Sequence, residues 1–175
     1  RTQDYQKSLG AAIKWLRFQP FSSTAAIHAT YVAGACLENH EEVIRIAQGE
    51  ADRLLSDNFL LKNNNVFSLA SLNRTVEAEK VWLTINPEAL KEREKGTFYA
   101  TDGLLKFRKG NAAEGRDLYM KSIEFFRNAG DRVAMTRAFF YLAREEMRLN
   151  PKAIELKVKA HDLAKKYGVV ELLHL

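Results

Sequence analysis

Four residues near the C-terminal end carry the plainest chemical signal. Arg137, Tyr141, Arg144 and Arg148 fall within a ~60° arc of one helix at about 100° per residue. Three guanidinium groups beside an aromatic ring can grip a carboxylate or phosphate through paired hydrogen bonds. The competing use of such a stripe is pairing with acids on neighbouring helices, here Asp117, Glu124, Glu145 or Glu155. Asn63-Asn64-Asn65 is the most unusual run. Three asparagines inside a helix cost ~0.5 kcal/mol each against alanine, because the amide competes for backbone hydrogen bonds. A side-chain amide both donates and accepts, so it can clamp an extended peptide backbone whatever the peptide's sequence. Asn63 and Asn64 are better placed for that than Asn65. The alternative is a solvated helix start near Lys62.

Other chemistry finds little footing. His28, His40, His161 and His174 show no metal-ligand spacing, and Cys36 is the only cysteine. No metal site and no cofactor is expected. The sequence holds no nucleophile-elbow, Walker or dinucleotide-binding motif. Glu41-Glu42 and Glu145-Glu146 are adjacent carboxylates that point different ways on a helix, as solvated faces do. The chain is therefore not expected to be an enzyme.

The elements that must position these residues are helices. Three prolines and nine glycines in 175 residues leave few breakers. Hydrophobic residues at 46% and charged residues at 28% are ordinary for a globular chain. The pattern predicts nine or ten helices and no strand, over about 4–19, 22–38, 41–56, 58–72, 74–85, 88–109, 111–128, 131–149 and 151–167, with a short terminal helix from 169. Caps are expected at Ser22 or Ser23, Asn58, Asn73, Asp131 and Asn150, and helix ends at Gly130 and Gly168. The least polar stretch, Ala25 to Leu37, is too short to span a membrane. The net charge of +5 is spread along the chain, a weak sign of acidic partners.

Turn signals recur at Gln3-Asp4, Asn39-His40, Asn73-Arg74, Gly110-Asn111 and Asn150-Pro151, at spacings of 36, 34, 37 and 40 residues. A matching pattern follows the first four: Ser8, Ile44, Ala78 and Gly115; then Ala12, Gln48, Trp82 and Tyr119; then Trp15, Ala51, Ile85 and Ser122. These offsets keep one helical face. Gly96 to Arg127 resembles a tetratricopeptide repeat. Tyr99 stands at the first helix's aromatic position and Gly103 at its small position. Gly110 is at the turn, Gly115 at the small position of the second helix, and Tyr119 at its aromatic position. Asp4-Tyr5, Ser8, Ala12, Trp15 and Pro20 resemble the second half of such a repeat. The units around Asn39 and Asn73 are degenerate, and His28 aligns with a core aromatic position.

The resemblance implies an all-α fold, with antiparallel helix pairs stacked into a right-handed α-solenoid. Residues 1–175 would form one repeat domain of about four and a half helix pairs, a fragment of a larger protein opening on the second half of a unit. First helices at 22–38, 58–72, 96–109 and 131–149 would line a concave groove. Asn63, Asn64 and Arg108 would orient a peptide there, and Phe67 and Phe107 would be apolar anchors. Lys106, Arg108 and Lys109 also suit a helix C-terminus by dipole alone. Most of Phe98, Tyr99, Phe107, Phe125, Phe126, Phe139 and Phe140 should be core. The expected function is binding of a protein or peptide segment, acidic in character, by a cytoplasmic protein with no membrane contact. Alternatives are a sensor or regulatory arm of a larger signalling protein or transcription regulator, nucleic-acid binding through basic faces, and self-assembly into a homo-oligomer.

Overall fold

The computed structural model describes residues 2–48 and 58–174. Among them are nine α-helices and no strand: α1 (Thr2–Phe18), α2 (Ser23–Tyr31), α3 (His40–Gln48), α4 (Phe59–Ser71), α5 (Thr75–Trp82), α6 (Glu92–Arg108), α7 (Ala112–Asn128), α8 (Arg132–Leu149) and α9 (Ile154–Tyr167). Helix α2 runs on into a π-helical turn at Val32–Cys36, and 3-10 turns cover Pro87–Ala89 and Val170–His174. The expected helix over 41–56 is seen as far as Gln48; residues 49–56, with the pattern position Ala51, lie outside the described residues. Two compact units divide the chain, Arg1–Asn86 and Pro87–Leu175.

Local chemistry sets the helix starts. The side chains of Ser22, Asn58 and Asp131 accept hydrogen bonds from the N–H groups of Ala25, Leu61 and Ala134, satisfying donors that the first turn leaves open. Two expected caps are corrected. Asn73 takes a left-handed conformation (φ 61°), so the cap position passes to Arg74. Asn150 instead closes α8 in an extended conformation. Its Oδ1 accepts from the Lys152 N–H at 3.1 Å, and this side-chain turn delays α9 to Ile154. Likewise α6 begins at Glu92 rather than 88, because Pro87–Ala89 closes a separate 3-10 turn. The Glu94 carboxylate then accepts the Lys91 N–H at 2.9 Å.

In the first unit, α2 packs on α1, α3 and α4, while α4 also packs on α3 and α5. Leu9, Ala12, Ala29, Val32, Ala33, Cys36 and Val43 form its core. The π-helical turn brings Gly34 so close to α3 and α4 that a β-carbon there would sit 3.1 Å from Val43 Cγ2 and 3.4 Å from Ser68 Oγ. Ala12, Ile44 and Ala78 are buried, where the repeat pattern puts core. Trp15 and Gln48, from the same pattern, are exposed. The core position expected for His28 is also corrected: the residue is exposed, with Nε2 3.2 Å from Ser8 Oγ. The buried positions of α2 are Ala25, Ala26, Ala29 and Thr30, which turns His28 outward by helical period.

In the second unit, α6 packs along α7, α8 meets both, and α9 lies against α8. The α6–α7 seam explains its glycines. A β-carbon on Gly103 would lie 2.9 Å from the Gly115 carbonyl oxygen, and one on Gly115 would lie 2.6 Å from Phe107 Cδ2. Only hydrogen leaves room at that crossing. Tyr119 fills the space beside it, 1% exposed and 6.0 Å from the Phe107 ring. One turn on, the Ser122 hydroxyl donates to the Gly96 carbonyl at 2.7 Å. This buried bond ties the two helices together.

Candidate functional site

The asparagine run divides within one turn of α4. Asn63 and Asn65 are buried, at 6% and 5% exposure, while Asn64 is half-buried. Asn64 Nδ2 donates to Thr30 Oγ1 at 3.0 Å, and Thr30 donates to the Ala26 carbonyl at 2.8 Å. Asn64 thus joins α4 to α2. Asn63, expected to face a peptide, is turned inward by the helical period, which sets Asn64 alone toward the half-exposed side. Phe67 is half-buried one turn on, edge-to-face with His40 at 5.6 Å.

His40 Nδ1 and Ser68 Oγ lie 3.3 Å apart. A serine beside a histidine is the start of nucleophilic chemistry, but Ser68 is 0% exposed. A substrate carbonyl has no route to that hydroxyl, so the pair serves packing.

Phe107 and Arg108 do not stand at an open wall. Phe107 is 7% exposed and covers Gly115 and Tyr119, so it belongs to the α6–α7 contact rather than to a peptide anchor. The Arg108 side chain is 5% exposed, and its Nη2 donates to Glu145 Oε1 at 2.8 Å. This pair joins α6 to α8. Glu145, expected on a solvated face, is itself only 2% exposed. Burial pushes its carboxyl up to about 7, with the nearby Arg144 charge opposing the rise.

The arginine stripe also divides. Arg137 Nε donates to Glu171 Oε1 at 2.8 Å, a second bond runs from Nη2, and the Glu171 side chain is nearly buried. Arg137 thereby fastens the terminal 3-10 turn to α8. Its partner is not one of the acids expected from sequence, because Glu171 reaches α8 only through the turn at Gly168, whose φ of 67° reverses the chain after α9. Arg144 lies over the Tyr141 ring, 4.8 Å from its centroid, a cation–π contact.

Arg144 and Arg148 line an open cleft of about 310 Å³ between α8 and α9. Phe140, Ala143 and Met147 of α8 and Ala160 of α9 form its apolar lining. Lys157 of α9 adds a third cation. Two facing alanines, Ala143 and Ala160, lie in the core shared with Ala164, Val169 and Leu172. Both are nearly buried, at 3% and 1% exposure. Shallower hollows along α9 mix charges: Glu155 and Asp162 line one with Lys159 and Lys166, and Asp162 lines another with Lys157 and Lys165. Lys157 and the lining alanines escaped the sequence reading. The only available signal was the spacing of Phe140, Ala143, Met147 and Ala160, which is that of any core.

Among the described residues, no group of histidine, cysteine and carboxylate side chains could hold a metal ion. Among the same residues, no helix is long and apolar enough to cross a membrane. No protein-family model, curated protein or solved structure matches the chain.

Proposed function

We propose that the chain is a tetratricopeptide-like helical-repeat module, of the right-handed α-solenoid class, that binds a protein or peptide segment on its first helices. The supporting observation is the packing within each unit. First helices meet each other as well as their own partners, α2 with α4 and α6 with α8. The Gly103–Gly115 crossing adds the close approach that a repeated helix pair needs. In the first unit a peptide would meet Asn64 and Phe67 of α4. In the second it would meet Tyr141, Arg144 and Arg148 of α8, where cations favour an acidic segment. Phe107 and Arg108 act behind that surface by holding the helices in place, and Asn63 is buried there.

The test is selection from a random peptide library displayed against the immobilised 175-residue chain. The expected result is an enriched, acid-bearing sequence family whose synthetic members bind saturably. Failure to enrich any family over several rounds, with circular dichroism showing the target folded, would contradict it.

A further inference from the structure

The aromatic end of α1 lies outside the helices on which a peptide is placed, and its surroundings fit a lipid surface. We propose that α1 and the turn after it form a peripheral membrane contact. Phe18 and Phe21 enter an anionic bilayer, and Lys7, Lys14 and Arg17 meet its head groups.

Phe18 is 86% exposed, more than any other large apolar side chain among the described residues, and Phe21 is 68% exposed. They stand together for a local reason. Phe18 ends α1. The Ser22 N–H then donates to the Gln19 carbonyl at 3.0 Å, closing a turn with Pro20 and Phe21 at its tip. Proline suits the first of those two positions by its fixed φ. Both rings therefore project from the end of the α1–α2 hairpin. Trp15, one turn back and 40% exposed, spends its indole N–H on Gln19 Oε1 at 2.9 Å. Its ring can meet the head-group boundary with no open donor.

The charge beside these rings has one sign. From Tyr5 to Leu37 the chain carries Lys7, Lys14 and Arg17 and no acid. All three are exposed, and none forms an ion pair with a described acid. Lys7, Gly10, Lys14, Arg17 and Phe18 fall within a ~100° arc of α1, opposite the buried Leu9 and Ala12. A β-carbon on Gly10 would meet nothing within 4 Å. The middle of this face is low, so the helix can lie flat on a surface.

Exposed apolar patches mark contacts with protein or membrane. A protein would need a socket matched to two projecting rings, whereas a bilayer boundary takes them without one. Aromatic and basic residues together are also what interfacial helices present, and anionic lipid attracts the cations. Such a contact lies on the bilayer and needs no spanning helix.

Co-flotation of the 175-residue chain with vesicles tests this, using phosphatidylcholine alone and phosphatidylcholine with roughly one third phosphatidylserine. Anionic vesicles should bind with an accessible-lipid Kd on the order of 100 µM. Neutral vesicles should bind roughly tenfold more weakly or worse, and added salt should weaken the anionic case. Phe18→Ser with Phe21→Ser should lower affinity roughly tenfold or more. Lys7→Gln, Lys14→Gln and Arg17→Gln together should do the same. Lys152→Gln, Lys157→Gln and Lys165→Gln remove equal charge from exposed positions at and before α9, and should leave binding nearly unchanged. Circular dichroism checks that each variant is folded.

Equal binding to neutral and anionic vesicles would overturn the proposal, as would equal losses from the two triple variants. So would vesicle binding indifferent to the change at Phe18 and Phe21. No binding to anionic vesicles would also overturn it; peptides or a second copy of the chain held through Phe18 and Phe21 would then assign the face to a protein. Vesicle binding lost in the aromatic variant, with selected peptides still bound, is the expected combination and keeps the two proposals separate.

Discussion

Glu145 lies on the stripe of α8 that buries Ala138 and Leu142, and it meets Arg108 of α6 away from water. A buried ion pair is weak evidence of net stability, yet removing one partner is costly. Burial holds the carboxyl up to about 7 against an ordinary 4.5, so between those pH values the folded protein keeps a proton that the unfolded chain has released, and the ion pair with Arg108 belongs to the range above them. Stability from this group is therefore fully present below about pH 4.5 and is lost as pH rises toward 7. The wild type should lose roughly 2–3 kcal/mol relative to Glu145→Gln between pH 4.5 and 8, measured by urea denaturation. Parallel pH curves for the two proteins would mean that Arg108 keeps the carboxylate ionised throughout. The buried place of Glu145 was readable in principle, since it follows Ala138 and Leu142 at offsets of seven and three. The adjacency of Glu146, which pairs with Arg116 at 2.5 Å, disguised it as half of a solvated pair.

Between elements, the close approach of α6 and α7 is the contact most specific to this chain. Gly103→Ala would force a methyl group against the Gly115 carbonyl and the Tyr119 ring. Overpacking of this kind costs typically 1–3 kcal/mol, against a gain of about 1 kcal/mol from better helix propensity. Because backbone stands at 2.9 Å on one side of the clash, the upper half of that cost applies, and a net loss of about 1–2 kcal/mol in chemical denaturation is expected. An unchanged or higher midpoint would show that the helices can separate at no cost. The sequence made this seam legible, because Gly103, Gly115, Tyr119 and Ser122 are spaced as a helix pair requires. It also marked the turns at Asn39, Asn73, Gly110 and Asn150. Cap positions were harder, since a left-handed Asn73 and a turn-forming Asn150 use the same side chain for different bonds. The cleft was illegible for a different reason: a hollow depends on what two helices leave unfilled, and no single residue signals that.

On the scale of each unit, successive helices pack on one another and one alternate pair also meets, α2 with α4 and α6 with α8. That packing separates the residues expected to bind into two kinds. Phe107, Arg108 and Arg137 hold helices to one another, through burial or through ion pairs to Glu145 and Glu171, while Asn63 is simply buried. Asn64, Phe67, Tyr141, Arg144 and Arg148 keep a share of surface. Periodicity could place both kinds on the same helices but could not rank their exposure, because a residue one position away on a helix turns by about 100°. The distinction gives the peptide-binding proposal a spatial prediction. Amide hydrogen exchange with and without a selected peptide reads it directly. Added protection should fall on α2, α4, α6 and α8. Protection confined to α3, α5, α7 and α9 would contradict the account.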